Sequence, residues 1–243
     1  MKMNFEELGE KMRALFARRG YTCDCCGAEV FDYPNLRICK DCNSILTVDS
    51  PRCNKCGRKT ITEGVCLVCK RELPCFDVGI SALSYEGMSA SMINRFKNGE
   101  RYLVEFFAER MAQTLKDSGL FTKDLLIVCV PMTSEKRLER GYNQAEEVAK
   151  RISRILSLEF DGEVLKKRKE TSEQKYLDRK QRQENVETAF FVHKRALIKD
   201  RNLLLIDDIM TTGATGNACA KALKNAGADK VVFLTAVSLN EQK

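Results

Sequence analysis

The stretch at residues 203–215 constrains this chain more tightly than any other. Leu203, Leu204, Leu205 and Ile206 form an unbroken apolar run, Asp207 and Asp208 follow, and then come Thr211-Thr212-Gly213-Ala214-Thr215 and a helical pattern. A continuous run of this kind belongs to a strand buried on both faces, as in a parallel sheet. Open α/β sheets bind ligands beyond the carboxyl ends of such strands. A glycine inside a threonine-rich turn lets successive N–H groups and hydroxyls face a phosphate, and the following helix directs its positive end to the same spot. Two adjacent carboxylates would repel that anion, so their natural partners are the hydroxyls of a sugar lying just beyond it. The pattern therefore reads as a sugar-phosphate site. It lacks both the Lys of a P-loop and the G-x-G-x-x-G of a dinucleotide turn.

The rest of the C-terminal part supplies a sheet for this strand. Apolar runs predict strands over residues 76–85, 125–130, 203–207 and 231–237, and another near Val164; 3.6-residue periodicity predicts helices over residues 87–96, 100–115, 143–156 and 216–225. Alternation of this kind implies an α/β fold, with a mainly parallel sheet covered on both faces. A chain of 243 residues, 44% of them hydrophobic, has material for one such domain and a smaller module.

The smaller module is rich in cysteine. Cys23-x-x-Cys26 and Cys39-x-x-Cys42 are followed by Cys53-x-x-Cys56 and Cys66-x-x-Cys69. Each C-x-x-C turn can aim two sulfurs at one ion about 2.3 Å away, and Gly27 and Gly57 allow the backbone to turn N–H groups toward the sulfurs. Two structural zinc sites of four thiolates each are expected, closed to substrate because no coordination position stays open. Sequential pairing of the groups is preferred, while a crossed arrangement uses the same ligands. Cys25 and Cys75 are left over, and Cys129 and Cys219 read as buried free thiols. Ahead of the module, Phe5, Leu8, Met12, Leu15 and Phe16 lie at helical spacing. The expected organisation is an amphipathic helix over residues 1–20, a zinc-binding module over residues 21–74 and the α/β domain over residues 75–243.

Charge tilts the chain toward anionic partners, with 41 basic against 34 acidic residues and a net +7. Much of the excess lies in residues 166–185, which include Lys166, Lys167, Arg168, Lys169, Lys175, Arg179, Lys180 and Arg182 and read as a mobile basic loop. The single histidine, His193, has no evident catalytic partner and is expected to be structural or exposed. No apolar run approaches the roughly 18 residues of a membrane span, and the first 20 residues are charged throughout, so a cytoplasmic location is expected.

The strand, acid pair and threonine loop resemble the signature for phosphoribosyl pyrophosphate (PRPP) in the type I phosphoribosyltransferases. The resemblance implies that Asp207 and Asp208, the catalytic pair, hold the ribose 2′- and 3′-hydroxyls. It also implies that Thr211, Thr212, Gly213, Ala214 and Thr215 hold the 5′-phosphate. The cysteine pairs, Tyr85-Glu86-Gly87 with Lys97, Arg140-Gly141-Tyr142-Asn143-Gln144, and the string Arg168, Thr171, Gln174, Leu177, Arg182, Asn185, Ala189-Phe190 together resemble the ComF/GntX family of competence-associated proteins. In Val130-Pro131-Met132-Thr133, Thr133 stands where many members have a second proline. Lys136, Arg137 and Arg140 follow a strand end suited to meet the pyrophosphate of PRPP, and Arg168 with Arg182 are placed to close over it.

Three functions fit these features. The first, favoured by the resemblance, is a cytoplasmic accessory of DNA uptake that contacts single-stranded DNA and a partner helicase and retains a PRPP site. The second is an active phosphoribosyltransferase of nucleotide or amine metabolism, with Mg²⁺ bridging the diphosphate and the ribose hydroxyls. The third is a PRPP-sensing regulator in which binding closes the basic loop.

Overall fold

Apolar runs fall where the sequence places them, but the sheet they build is longer at the functional end. The computed structural model describes residues 22–28, 30, 38–46, 50–168 and 189–240. The helix expected over residues 1–20 and the basic loop beyond Arg168, including Arg182, lie outside them. The chain divides into two compact units, Met1–Val48 and Asp49–Lys243. The second cysteine group, which composition assigns to the N-terminal module, thus falls in the same unit as the sheet.

The strands are β1 (Val78–Ser84), β2 (Leu126–Cys129), β3 (Leu165–Lys167), β4 (Phe190–Val192), β5 (Asn202–Met210) and β6 (Lys230–Ser238). A four-stranded sheet runs β1-β6-β5-β2 with every pairing parallel, as expected. The strand expected near Val164 belongs elsewhere: β3 pairs antiparallel with β4 in a two-stranded ribbon, Lys166 opposite Phe191. Three-residue strands leave too little alternation to read a partner from sequence.

Period-two alternation assigns the faces of the central strand. Leu203 and Leu205 join one core with Val231, Phe233, Leu223, Phe76 and the four cysteines 53, 56, 66 and 69. Leu204 and Ile206, fully buried outside that cluster, face the other way. Helices Val104–Asp117 and Gln144–Leu156 pack on each other; the first also meets β1 and β6, the second β2 and β5. Helix Val104–Asp117 buries Phe106, Phe107, Met111 and Leu115 completely. Each such side chain contributes about 1.5–3 kcal/mol of transfer free energy. Helix Ala214–Asn225 packs against β4, β5 and β6. It approaches β6 so closely that a Cβ at Gly216 would lie 2.4 Å from the Phe233 ring.

Candidate functional site

The acid pair sits inside β5 rather than at its end. The strand continues to Met210, which lies opposite Ser238 of β6, because Ile209 and Met210 prolong the apolar pattern. Asp207 therefore shares a face with Leu205, and Asp208 takes the opposite one. The Asp207 residue keeps some exposed surface, but its carboxyl is closely surrounded. Its Oδ1 accepts a 2.9 Å hydrogen bond from the Asp208 N–H. Burial and the charge of Asp208 hold the Asp207 carboxyl well above the usual carboxylate range, against a downward pull from Lys97. Lys97 ends helix Gly87–Lys97 and places Nζ 3.3 Å from Asp208 Oδ2. The sequence marks Lys97 only through the resemblance; no local pattern pairs it with an acid so distant in the chain.

The loop after β5 faces water. Thr211, Thr212, Ala214 and Thr215 are exposed, and Gly213 adopts φ +89°, a left-handed conformation that favours glycine. Helix Ala214–Asn225 begins two residues earlier in the loop than its apolar periodicity predicts, with Gly213 as N-cap. The Ala214 N–H donates to Thr212 Oγ1 at 3.2 Å. Among the described residues, the main-chain N–H groups of Thr212 and Gly213 donate to no protein oxygen. Free amides at a helix N-terminus can receive an anion.

One strand over, β2 ends at Cys129, which lies opposite Ile206. A cavity of about 210 Å³ opens there, lined in part by Cys129, Pro131, Met132, Arg137, Lys167 and Arg168. The structure thus brings Arg137 and Arg168 together. Arg140 does not line this cavity; its guanidinium reaches Gln144 Oε1 at 3.5 Å. Much of the Arg140-Gly141-Tyr142-Asn143-Gln144 string has structural work. Gly141 ends helix Ser134–Arg140 at φ +78°, Tyr142 is buried beneath the Arg101 guanidinium, and Asn143 Nδ2 donates to Val130 O at 3.2 Å. Arg137 is mostly exposed and paired with Glu146 at 3.3 Å.

The cysteines gather in the sequential arrangement. Cys23, Cys26, Cys39 and Cys42 bring their sulfurs within 4.8 Å of one another, and so do Cys53, Cys56, Cys66 and Cys69. A tetrahedral ion with sulfurs at about 2.3 Å requires S···S edges of about 3.8 Å. Cys26 and Cys39 stand at 3.9 Å, and Cys56 and Cys66 at 3.8 Å. Backbone N–H groups turn onto the sulfurs, Cys39 to Cys23 at 3.3 Å and Cys66 to Cys53 at 3.3 Å. Such bonds favour thiolates, the form a metal needs. Cys56 is pulled down to about 5, first by a hydrogen bond from the Cys69 thiol and then by Arg58, against burial. Both sets therefore fit a structural metal ion. Burial instead pushes the Cys129 thiol up to about 12 and Cys219 well above its ordinary range, matching inert core thiols. His193 is exposed, as expected.

The second tetrad reaches the threonine loop through a residue that the sequence reading overlooks. Arg58, 5% exposed, donates through Nε to Cys56 Sγ at 3.3 Å and through Nη2 to the carbonyls of Thr211 at 3.2 Å and Thr212 at 3.3 Å.

Among the described residues, no helix is long and apolar enough to cross a membrane. The phosphoribosyl transferase domain family matches residues 103–243, more than half of the chain. Competence protein ComFC of Streptococcus pneumoniae is 30% identical over 80% of this chain and 84% of its own. Competence protein F of Haemophilus influenzae is 27% identical over 80% and 87%, and DNA utilization protein YhgH of Escherichia coli is 26% identical over the same shares. Among solved structures, the glutamine PRPP amidotransferase of B. subtilis overlays at a TM-score of 0.37, with 16% identity over 53% of this chain and 26% of that one, too loosely to argue from. The matched domain and these relatives show the family: the chain belongs to the ComF family of proteins built on a phosphoribosyl transferase domain.

Proposed function

We propose that this chain binds PRPP or a closely related sugar phosphate, together with Mg²⁺, at the carboxyl end of β5. The observation that carries the reading is the placement of Asp207 and Asp208 near the carboxyl end of the central strand, two residues before an exposed threonine turn in which the Thr212 and Gly213 amides are free. The carboxylates accept hydrogen bonds from the ribose hydroxyls, and Thr211, Thr212, Gly213, Ala214 and Thr215 cradle the 5′-phosphate. Lys97 then faces the sugar and its pyrophosphate, beside Asp208. Mg²⁺, when bound with the ligand, would supply charge neutralisation for the diphosphate. Zinc fits the two tetrads, since four thiolates at these sulfur spacings suit a closed tetrahedral site.

The names of the relatives, competence proteins, support a role in DNA uptake; within that role our reading is that the chain acts in the cytoplasm, contacts single-stranded DNA and works beside a helicase. The basic residues Lys166, Lys167 and Arg168, with Arg182 further along the chain, give that contact its charge. A second reading, turnover with release of pyrophosphate, is favoured by the cavity at the end of β2, where Arg137 and Arg168 could take a leaving diphosphate.

The test is calorimetric titration of PRPP with Mg²⁺ into the zinc-loaded protein and into an Asp207→Ala, Asp208→Ala double variant. Binding that the variant loses supports the site; equal binding by both, or binding by neither, overturns it. Pyrophosphate release on adding nucleobases separates turnover from binding alone. Salt-dependent retention of single-stranded oligonucleotides tests the DNA contact.

A further inference from the structure

We infer that Arg58 is a positioning residue for the threonine loop, holding its amides in an anion-receiving orientation while anchored on a metal-ligating sulfur. The inference rests on the sugar-phosphate reading above for its ligand, but the geometry stands by itself. Arg58 lies 153 residues from Thr211 in sequence, yet one guanidinium nitrogen serves the carbonyls of both Thr211 and Thr212. A trans peptide keeps its C=O and the following N–H in one rigid plane, pointing in opposite directions. Fixing the Thr211 and Thr212 carbonyls toward Arg58 therefore turns the N–H groups of Thr212 and Gly213 the other way. Neither of those amides donates to a protein oxygen among the described residues.

The other end of the fork explains why arginine is needed. Nε donates to Cys56 Sγ at 3.3 Å, so the planar guanidinium spans a thiolate and two carbonyls at once. Contacts of this kind to a ligating sulfur orient the ligand and tune the site. The path between the metal knuckle and the loop is short and stiff. Gly57 approaches β1 so closely that a Cβ there would lie 2.6 Å from Ile80 Cα, and Arg58 is the next residue. Filling the 53–69 tetrad thus holds Cys56, Cys56 holds Arg58, and Arg58 holds the peptide planes that meet the phosphate.

Lysine at this position keeps the charge but cannot span all three acceptors, so Arg58→Lys is the informative variant, with Arg58→Gln as a second. The first readout needs no ligand: amide ¹⁵N–¹H shifts in zinc-loaded protein. Movement at Thr212 and Gly213, with β1, β6 and helix Val104–Asp117 unchanged, is expected; unmoved loop amides overturn the inference. The second readout is titration with Mg²⁺ and PRPP at two bound zinc ions per chain. About tenfold weaker binding or more is expected, the scale of losing charge-assisted hydrogen bonds. If zinc content and the thermal midpoint fall with affinity in both variants, Arg58 is merely structural and the inference fails. If wild-type protein binds no PRPP while the loop amides still move, the ligand reading fails and the positioning role stands.

Discussion

The two cysteine tetrads share a ligand pattern and differ in what surrounds them. In the first, Cys23 and Cys42 are buried, Cys39 is half-buried and Cys26 is exposed, and the set belongs to the unit Met1–Val48. In the second, all four cysteines are buried and share one core with Phe76, Leu205 and Phe233 of the sheet unit. The comparison is closest at the glycine that follows each first C-x-x-C pair. Gly27 and Gly57 both have φ +74°, but a Cβ at Gly27 would meet nothing within 4 Å, whereas at Gly57 it would strike the backbone of β1. Two C-x-x-C pairs can therefore lie in a small unit of their own or form an integral part of a sheet domain. The choice is made by contacts outside the motif.

The largest effect expected from this contrast comes from removing ligands. Serine at Cys66 and Cys69 should abolish one metal site, destabilise the sheet unit by about 3 kcal/mol or more, and eliminate PRPP binding. Serine at Cys39 and Cys42 should remove the other metal and leave the main unfolding transition and PRPP binding in place. Thermal unfolding with metal analysis reads both, and equal losses from the two pairs would break the contrast. Next in size, Gly57→Ala should cost about 3 kcal/mol and Gly27→Ala only about 1 kcal/mol, measured by denaturant unfolding of the larger unit and by metal retention respectively. Similar costs at the two positions would mean that the knuckle on β1 yields.

A smaller effect should come from the site that the second tetrad supports. Asp207 holds its proton more tightly folded than unfolded. Its stabilising contribution is therefore complete at pH below the ordinary Asp range and is lost as pH rises through its elevated folded value. Asp207→Asn retains an acceptor for the Asp208 N–H and should stabilise the fold at neutral pH by about 1 kcal/mol, flatten that pH slope, and lose PRPP. In the wild type, binding should release a proton and tighten as pH rises, which calorimetry in buffers of different ionisation enthalpy would show. The smallest effect expected is at Lys59, whose 2.9 Å pair with Glu86 joins two substantially exposed side chains. Lys59→Ala should change stability by less than about 0.5 kcal/mol. A larger loss would mean that the knuckle is held by its surface charges and not by its core.

The buried strands, the acid pair, the threonine turn and the C-x-x-C pairs are legible in the sequence because each is local. Leu203 to Ile206 declare a buried strand without reference to any partner, and a C-x-x-C step needs only its own turn. What escapes the sequence is carried by distant pairings. The ribbon of Leu165–Lys167 with Phe190–Val192 depends on contact across more than 20 residues between strands too short to show a period. The continuation of β5 to Met210 depends on its register with Ser238. The sequence shows Arg58 only as one basic residue beside a cysteine, since nothing nearby announces two carbonyls 153 and 154 residues away. Arg137 and Arg168 meet at one cavity where Arg140 does not, and side-chain direction on a seven-residue helix settles that outcome.

The position of the second knuckle has one more consequence. Among the described residues β1 is an edge strand, paired to β6 alone, and its Gly79 N–H donates to Lys55 O at 2.8 Å. The knuckle thus covers part of a row of backbone groups that would otherwise be open to another chain. A protein made without enough of the metal that fits this tetrad should lose that cover and present an apolar strand edge to its neighbours. Metal shortage should then appear first as aggregation, before any deficit in ligand binding can be measured.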